Sequence, residues 1–240
     1  MIIPIILAIV VIVSACLIPL IKVRLAYGAM RPLNSREVTP GVYAVRTSFV
    51  NLYLVKGGDR YIAFDAGTDE AATKAALRGL GIDERDVSAV FLTHTDYDHV
   101  AAVPLFSSAQ VYMADSNRSF LGEKRGLTRS KAFAVMGRDY TALYDGETIT
   151  VAGVRVQCVF TPGHTPGSAC YLVDGKYLFT GDSLNLKDGK AVLFYGVFNM
   201  NNGKQRQSLR ELSKLDGIEA VFTMHTGYTT DFKTAFAGWR

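Results

Sequence analysis

The apolar positions of the chain fall into two regimes. From Ile2 to Ile21 the sequence reads IIPIILAIVVIVSACLIPLI with no charged residue, and about 20 such residues match the hydrocarbon thickness that a spanning helix must cross. Beyond Gly41 the apolar residues come in short runs instead. Val42 to Arg46, Asn51 to Val55, Tyr61 to Asp65, Ala89 to Leu92 and Gln110 to Met113 predict strands in the first half. Glu147 to Val151, Val154 to Thr161, Ser168 to Val173, Tyr177 to Thr180 and Ala220 to Thr223 predict a second series. Gly and Asp turns separate them, and Gly57-Gly58-Asp59 and Asp174-Gly175 read as hairpin turns. Helical spacing appears over Glu70 to Gly79, His99 to Val103 and Lys204 to Leu215. Strand-rich halves interrupted by helices predict two sheets with helices outside them, a layered α/β architecture. The expected organisation is an anchor over residues 2–21, a linker over 22–40 and one domain over 41–240.

The N-terminal run lacks the basic leader and short apolar core of a cleaved signal peptide, so the anchor is expected to be permanent and single-pass. Lys22, Arg24, Arg31 and Arg36 follow it directly, which by the positive-inside tendency puts the domain on the cytoplasmic side. Elsewhere, the net charge of +4 is spread along the chain without forming a stripe, and nucleic acid is not an expected partner. Cys16, Cys158 and Cys170 match neither a disulfide framework nor a CxxC metal pattern. Buried free thiols are the expected state, although Cys158 and Cys170 flank one turn. Nothing in the sequence indicates an oligomeric state.

The chemistry lies in the histidines. All four, His94, His99, His164 and His225, follow apolar strand-like runs and sit in loops with Gly, Asp or Thr nearby, where a scaffold presents functional groups. The densest stretch is Thr93-His94-Thr95-Asp96-Tyr97-Asp98-His99, which offers imidazole nitrogens and carboxylate oxygens together. That donor mixture suits Zn, Fe or Mn better than Ca or Mg. Distant candidates are His164 in Thr161 to Gly167, Asp182 in Thr180-Gly181-Asp182, and His225 in Thr223 to Gly227. Taken alone, Thr161 to Gly167 is a Pro/Gly turn and Asp182 a strand-end residue; their order along the chain and their company make them ligand candidates.

In this set of motifs the chain resembles the metallo-β-lactamase superfamily from about Gly41 to its C-terminus. Tyr61 to Gly67 is similar to the family's early strand ending in Asp-x-Gly, Thr93 to His99 to its HxHxDH signature, and His164, Asp182 and His225 to its later ligand motifs. The resemblance implies a four-layer αβ/βα sandwich, preceded here by the N-terminal transmembrane helix, with a pair of divalent metal ions at one edge. Zn is the first expectation and Fe or Mn the alternatives. By position, His94, Asp96 and His164 would hold one ion, Asp98, His99 and His225 the other, and Asp182 would bridge them. One departure stands out: Asp96 replaces the second His of the signature. A carboxylate oxygen is as many bonds from Cα as a ring Nδ1, so Asp96 is expected to reach the same ion, at the cost of a harder and less positive site.

The implied function is a membrane-anchored metallo-hydrolase acting on a small-molecule ester, lactone, thioester or phosphodiester through a hydroxide shared by two ions about 3.5–4 Å apart. Asp98 is the expected catalytic orienting group, and Asp65 the expected partner that fixes a ligand histidine. No further cofactor is expected. The alternatives are a diiron oxidoreductase, which a carboxylate at position 96 resembles, and a metal-binding module without turnover. Substrate selection is expected from the loops Phe120 to Asp139 and Leu184 to Asn202; Lys124, Arg125, Arg129, Lys131 and Arg138 in the first read as a solvated basic loop or as a lure for an anionic substrate, and Phe194, Tyr195 and Phe198 in the second as core or as pocket lining. Tyr97 and Tyr228 lie beside ligands and are weighed as structural residues or substrate contacts.

Overall fold

A computed structural model of the chain describes residues 17–116 and 139–240. Residues 1–16, which carry most of the expected anchor together with Cys16, lie outside the described residues, as do Lys124, Arg125, Arg129, Lys131 and Arg138. Residues 17–29 form a helix, α1, which runs past the expected end of the anchor and through the first part of the expected linker. Among the described residues no helix is long and apolar enough to cross a membrane.

Two sheets make the body of the molecule. The first joins β1 (Arg36–Thr39), β2 (Val42–Thr47), β3 (Val50–Gly57), β4 (Arg60–Phe64), β5 (Val87–Leu92), β6 (Gln110–Ala114) and β7 (Thr141–Leu143) in sequence order. Its first four strands pair antiparallel and those from β4 onward parallel. The second runs in the order β15-β14-β11-β10-β9-β8. Its strands are β8 (Thr148–Val151), β9 (Val154–Phe160), β10 (Ala169–Val173), β11 (Tyr177–Phe179), β14 (Ala220–Thr223) and β15 (Gly227–Thr229). Only β11 and β14 pair parallel there. A separate hairpin, β12 (Asn185–Lys187) and β13 (Lys190–Val192), lies between β11 and β14 in sequence.

The twofold periodicity of the strands explains the layering. Val42 and Ala44, Ile62 and Phe64, and Ala169, Tyr171 and Val173 enter the core between the sheets. The intervening Val45 and Ala63 face a second core, which includes Leu77 of α2 (Glu70–Gly79). Cys170 and Leu172 face a third core with Leu209 and Leu212 of α4 (Asn202–Leu212). Helices outside two facing sheets give the four-layer sandwich expected from the resemblance. Aromatic rings stack through its middle, with Phe64 and Phe179 centroids 4.1 Å apart at 7° and Phe179 and Phe222 4.8 Å apart at 13°. Two buried phenols cross-link the sheets: Tyr53 Oη donates to Thr223 O and Tyr171 Oη to Leu92 O, each at 2.9 Å.

Cys158 and Cys170 sit at neighbouring cross-strand positions, Cys158 opposite Tyr171 and Cys170 opposite Val159. They therefore point to opposite faces of the sheet, one into the central core and one into an outer core. Both are free buried thiols, and burial pushes them up to about 12 and about 11 respectively.

Candidate metal centre

Every candidate ligand leaves the C-terminal end of a strand at one edge of the sandwich. β4 and β5 are parallel and end together, and β9 and β11, both antiparallel to β10, share the direction of β14. His94 and Asp96 lie in the loop after β5, and Asp98 and His99 on the short helix α3 (Tyr97–Val100) that follows. His164 follows β9, Asp182 follows β11 and His225 follows β14. The edge is tied across the sheets by Ala169 N–H, which donates to Thr93 O at 2.9 Å.

The side chains converge. Three ligand groups have donor atoms within 4.8 Å of one another: His94, Asp96 and His164; Asp98, His99 and His225; and His94, His99 and Asp182. Asp182 sits between the first two. Its Oδ2 lies 3.9 Å from His94 Nε2 and 3.5 Å from His164 Nε2, and its Oδ1 lies 3.5 Å from His99 Nε2 and 3.3 Å from His225 Nε2. Asp98 Oδ2 is 3.5 Å from both His99 Nε2 and His225 Nε2. Asp96 Oδ2 is 3.1 Å from His164 Nε2 and 3.8 Å from His94 Nε2, so the aspartate that replaces the signature histidine points into the same cluster.

The donors fit a metal by two criteria. His94 Nε2, His99 Nε2, His225 Nε2 and Asp182 Oδ1 are buried without a hydrogen-bond partner, an arrangement that costs roughly 1–3 kcal/mol per atom unless something else satisfies them. Most of the spacings also match a tetrahedral ion, whose ligands at about 2.0–2.1 Å lie about 3.3–3.4 Å from one another.

Each imidazole is held through its other nitrogen. His99 Nδ1 donates to Asp65 Oδ2 at 2.7 Å, His225 Nδ1 to Phe49 O at 2.9 Å and His164 Nδ1 to Asn199 Oδ1 at 3.2 Å. His94 Nδ1 lies 3.0 Å from Thr93 Oγ1, whose hydroxyl donates to Asp65 at 3.0 and 3.1 Å. Asp65 also accepts from Thr93 N–H at 2.8 Å. One carboxylate thus orients His99 directly and His94 through a hydroxyl, a wider role than the sequence reading gives it. Asp65 stands at a left-handed φ of +64°, which Asp tolerates better than most residues.

Thr93, Asn199 and the Phe49 carbonyl have no signal in the sequence beyond proximity to a motif. Two glycines make room for the ligand loops. A Cβ at Gly181, φ +52°, would lie 2.4 Å from Thr93 Oγ1, and one at Gly163, φ +151°, 2.4 Å from the backbone of Gln205. Gln205 in turn donates to Asp182 O at 3.0 Å.

A pocket of about 130 Å³ lies over the cluster, with Tyr27, Met30, Phe49, Phe194 and Phe198 among its walls. Phe49 stacks on His225 at 5.9 Å and 11°, and Phe194 meets His164 edge-on at 4.9 Å. Of the two readings open for the aromatics of Leu184 to Asn202, Phe194 and Phe198 take the pocket one and Tyr195 does not line it, while Tyr27 and Met30 come from the expected linker. Tyr228 stacks on core residue Phe222 at 5.6 Å. Tyr97 is exposed and does not line the pocket.

Burial dominates the charges here, and the carboxylates oppose it. Burial and the neighbouring His99 hold His94 well below its usual value. Burial would also lower His99, but Asp98, Asp182 and Asp65 outweigh it and hold His99 well above 6.5. His164 and His225 are raised in the same way, His164 chiefly by Asp96 and Asp182 and His225 chiefly by Asp182. Asp182 is held well below the carboxylate range: burial opposes this, but His225 and His99 prevail. Burial raises Asp98. In the metal-free site protons therefore compete for three histidines and Asp98. Metal affinity should weaken as pH falls, beginning at a pH above that at which an ordinary histidine titrates. Titration calorimetry with Zn²⁺ in buffers of different ionisation enthalpy should show proton release; affinity independent of pH between mildly acidic and mildly alkaline conditions would contradict these assignments.

Comparison with known proteins places this geometry. The model of the family described as "Metallo-beta-lactamase superfamily" matches residues 45–225. The probable polyketide biosynthesis zinc-dependent hydrolase PksB of Bacillus subtilis is 38% identical over 104 residues, 42% of this chain and 40% of that relative. The atrochrysone carboxyl ACP thioesterase of Aspergillus fumigatus is 28% identical over 169 residues, 69% of this chain and 47% of that relative. The chain thus spans less than half the length of these two curated relatives. A crystal structure of a metallo-beta-lactamase family protein from Thermus thermophilus superposes with a TM-score of 0.64 at 25% identity, covering 84% of this chain and 79% of that one.

Proposed function

The chain belongs to the metallo-β-lactamase superfamily, and from that premise we propose that it is a metal-dependent hydrolase whose substrate is an acyl thioester. The observation that carries the reading is the convergence of four imidazoles and three carboxylates on one pocket, with three ring nitrogens and one carboxylate oxygen left unpartnered. His94, Asp96 and His164 would hold one ion, Asp98, His99 and His225 a second, and Asp182 would offer one oxygen to each. Bound there, divalent metal, with zinc the first choice, supplies a Lewis acid for the substrate carbonyl and lowers the pKa of water to about 7.

The chain's own residues supply the rest. Asp98, 3.5 Å from two ligand nitrogens, orients the attacking water and takes up its proton. Phe49, Phe194 and Phe198 wall the pocket and reduce its access to bulk water. The choice of bond follows from what the walls lack. Apart from the ligand set, the only lining side chain with a dissociable proton among the described residues is Tyr27, and burial and Asp98 raise its phenol above 10, which makes it a poor acid. A thiolate, with a thiol pKa of about 8.5, leaves without a proton, whereas an alkoxide would depend on the proton that Asp98 takes up. The Aspergillus fumigatus relative, named a thioesterase, agrees with this preference.

We further infer a single-pass anchor over residues 2–21 with the domain on the cytoplasmic side. The support is the uncharged run itself, the following Lys22, Arg24, Arg31 and Arg36, and the exposed Leu17, Ile18, Leu20 and Ile21 at the start of α1.

The full chain should contain up to two metal ions and hydrolyse short acyl thioesters faster than matched oxygen esters or phosphodiesters. Chelation should remove the activity and zinc restore it. Asp98→Ala should lower the rate by more than it lowers metal content. Undiminished thioester hydrolysis by the stripped protein, or by Asp98→Ala, would refute the reading.

A further inference from the structure

Three consecutive carbonyls, at and just after the end of β14, are each claimed by a donor from outside the second sheet. Tyr53 Oη donates to Thr223 O at 2.9 Å, Asn51 N–H to Met224 O at 2.7 Å and Arg31 N–H to His225 O at 2.7 Å. The ring of His225 is held from the same quarter, its Nδ1 donating to Phe49 O at 2.9 Å. The turn that carries this candidate ligand is thus gripped, backbone and ring, by residues 31, 49, 51 and 53.

Phe49, Asn51 and Tyr53 come from β3 and the turn before it, but Arg31 lies in the irregular stretch between α1 and β1, so its place beside the others has to be set by something else. Asn51 sets it. This residue is fully buried in a strand that is otherwise mostly apolar, where an unpaired amide would be costly. Both ends of its side chain are spent on one residue: Oδ1 accepts from Leu33 N–H at 2.8 Å and Nδ2 donates to Leu33 O at 2.9 Å. A side-chain amide offers the same donor and acceptor as a peptide group, and here it pairs with the backbone of Leu33 as a neighbouring strand would. Leu33 also lies against the same turn, since a Cβ at Gly227, φ +87°, would lie 3.4 Å from Leu33 Cδ2.

We propose that Asn51 is a positioning residue of the metal centre: its side chain clamps residues 31–33 beside β3 and, through Arg31 N–H, fixes the backbone of His225. The inference rests on the reading of the ligand groups as holders of metal, and it concerns the group of Asp98, His99 and His225. The rings of the other group are held elsewhere, His164 by Asn199 and His94 by Thr93. Loss of the clamp should therefore loosen one ion and not the other.

The test uses the full chain, stripped of metal and titrated with zinc against a chromogenic chelator. Asn51→Leu, close in size but without the amide, should weaken one of the two binding steps about tenfold, the lower end of what the partners of ligands contribute, and spare the other. In the zinc-loaded variant the ring-proton NMR signals of His225 should shift while those of His164 stay in place. Leu33→Ala, at a partly exposed position that the fold tolerates more easily, should weaken the same step by less. Val154→Ala, in the central core at the opposite end of β9 from His164, should lower thermal stability and weaken neither step, which separates positioning from a general loss of stability. Zinc bound by Asn51→Leu with the parent's affinities would overturn the inference and leave the metal reading standing. Equal weakening of both steps, or the same loss in Val154→Ala, would also overturn it, as the mark of general loosening. No zinc bound by the parent would overturn both.

Discussion

Replacing Asp182 by alanine should cut kcat/KM by about 10³-fold or more and leave the purified chain short of metal. Asp182 offers Oδ2 to the side of His94 and His164 and Oδ1 to the side of His99 and His225, so its loss strips a donor from both ligand groups at once. Lewis-acid stabilisation is worth several kcal/mol, and losing about 4 kcal/mol of it corresponds to about 10³-fold in rate. The metal-free protein should change as well, because this carboxylate is a principal charge that raises His99, His164 and His225. Those histidines should then titrate lower in the variant, which NMR of the imidazole protons measures directly. Asp182→Ala with a full metal complement and undiminished turnover would show that the two ligand groups do not share it.

The second large effect is expected one step removed from the ligands, at Asp65. Its carboxylate accepts from Thr93 N–H, Thr93 Oγ1–H and His99 Nδ1 in a fully buried position. Asp65→Ala leaves these donors without a partner, and breaking a buried charged pair in this way costs roughly 3–5 kcal/mol. Asp65→Asn separates orientation from stability. An amide N–H facing His99 Nδ1 favours the tautomer with its proton on Nε2, the nitrogen that points into the cluster. Metal affinity should fall about 10- to 100-fold with a smaller loss of thermal stability than in the alanine variant. Competition with a chromogenic chelator and thermal unfolding of the two variants check this; equal zinc affinity in Asp65→Asn and the parent would show that the hydrogen bond does not set the ring.

Much of this centre is legible in the sequence, for a chemical reason. Metal donors are few residue types, and here all four histidines lie in segments that follow strands, His99 on the short helix after β5, so convergence is the economical explanation of their placement. The long inner strands are legible because alternate residues must be apolar where one face meets the other sheet, as in β4, with Ile62 and Phe64 inward and Ala63 outward. Where that pressure is weak the pattern fails. β1 is a short edge strand with two exposed residues, β7 has three residues, and neither carries an alternation to read. α4 begins at Asn202 because Asn201 accepts from Lys204 N, although Asn202 and Gly203 are poor helix formers. The partners of the ligand rings, Asn199 and the Phe49 carbonyl, are invisible there because a backbone oxygen and an amide acquire that role only from tertiary placement.

The exit of α1 has a mechanical consequence. Arg31 donates its side chain to Gly28 O and Met30 O just beyond the helix, and its backbone N–H donates to His225 O at 2.7 Å. The described part of the helix, residues 17–29, is therefore tied within a few residues of its end to the carbonyl of His225, a candidate ligand. A truncation that frays the helix should therefore lower zinc affinity with every candidate ligand intact, which competition with a chromogenic chelator would measure.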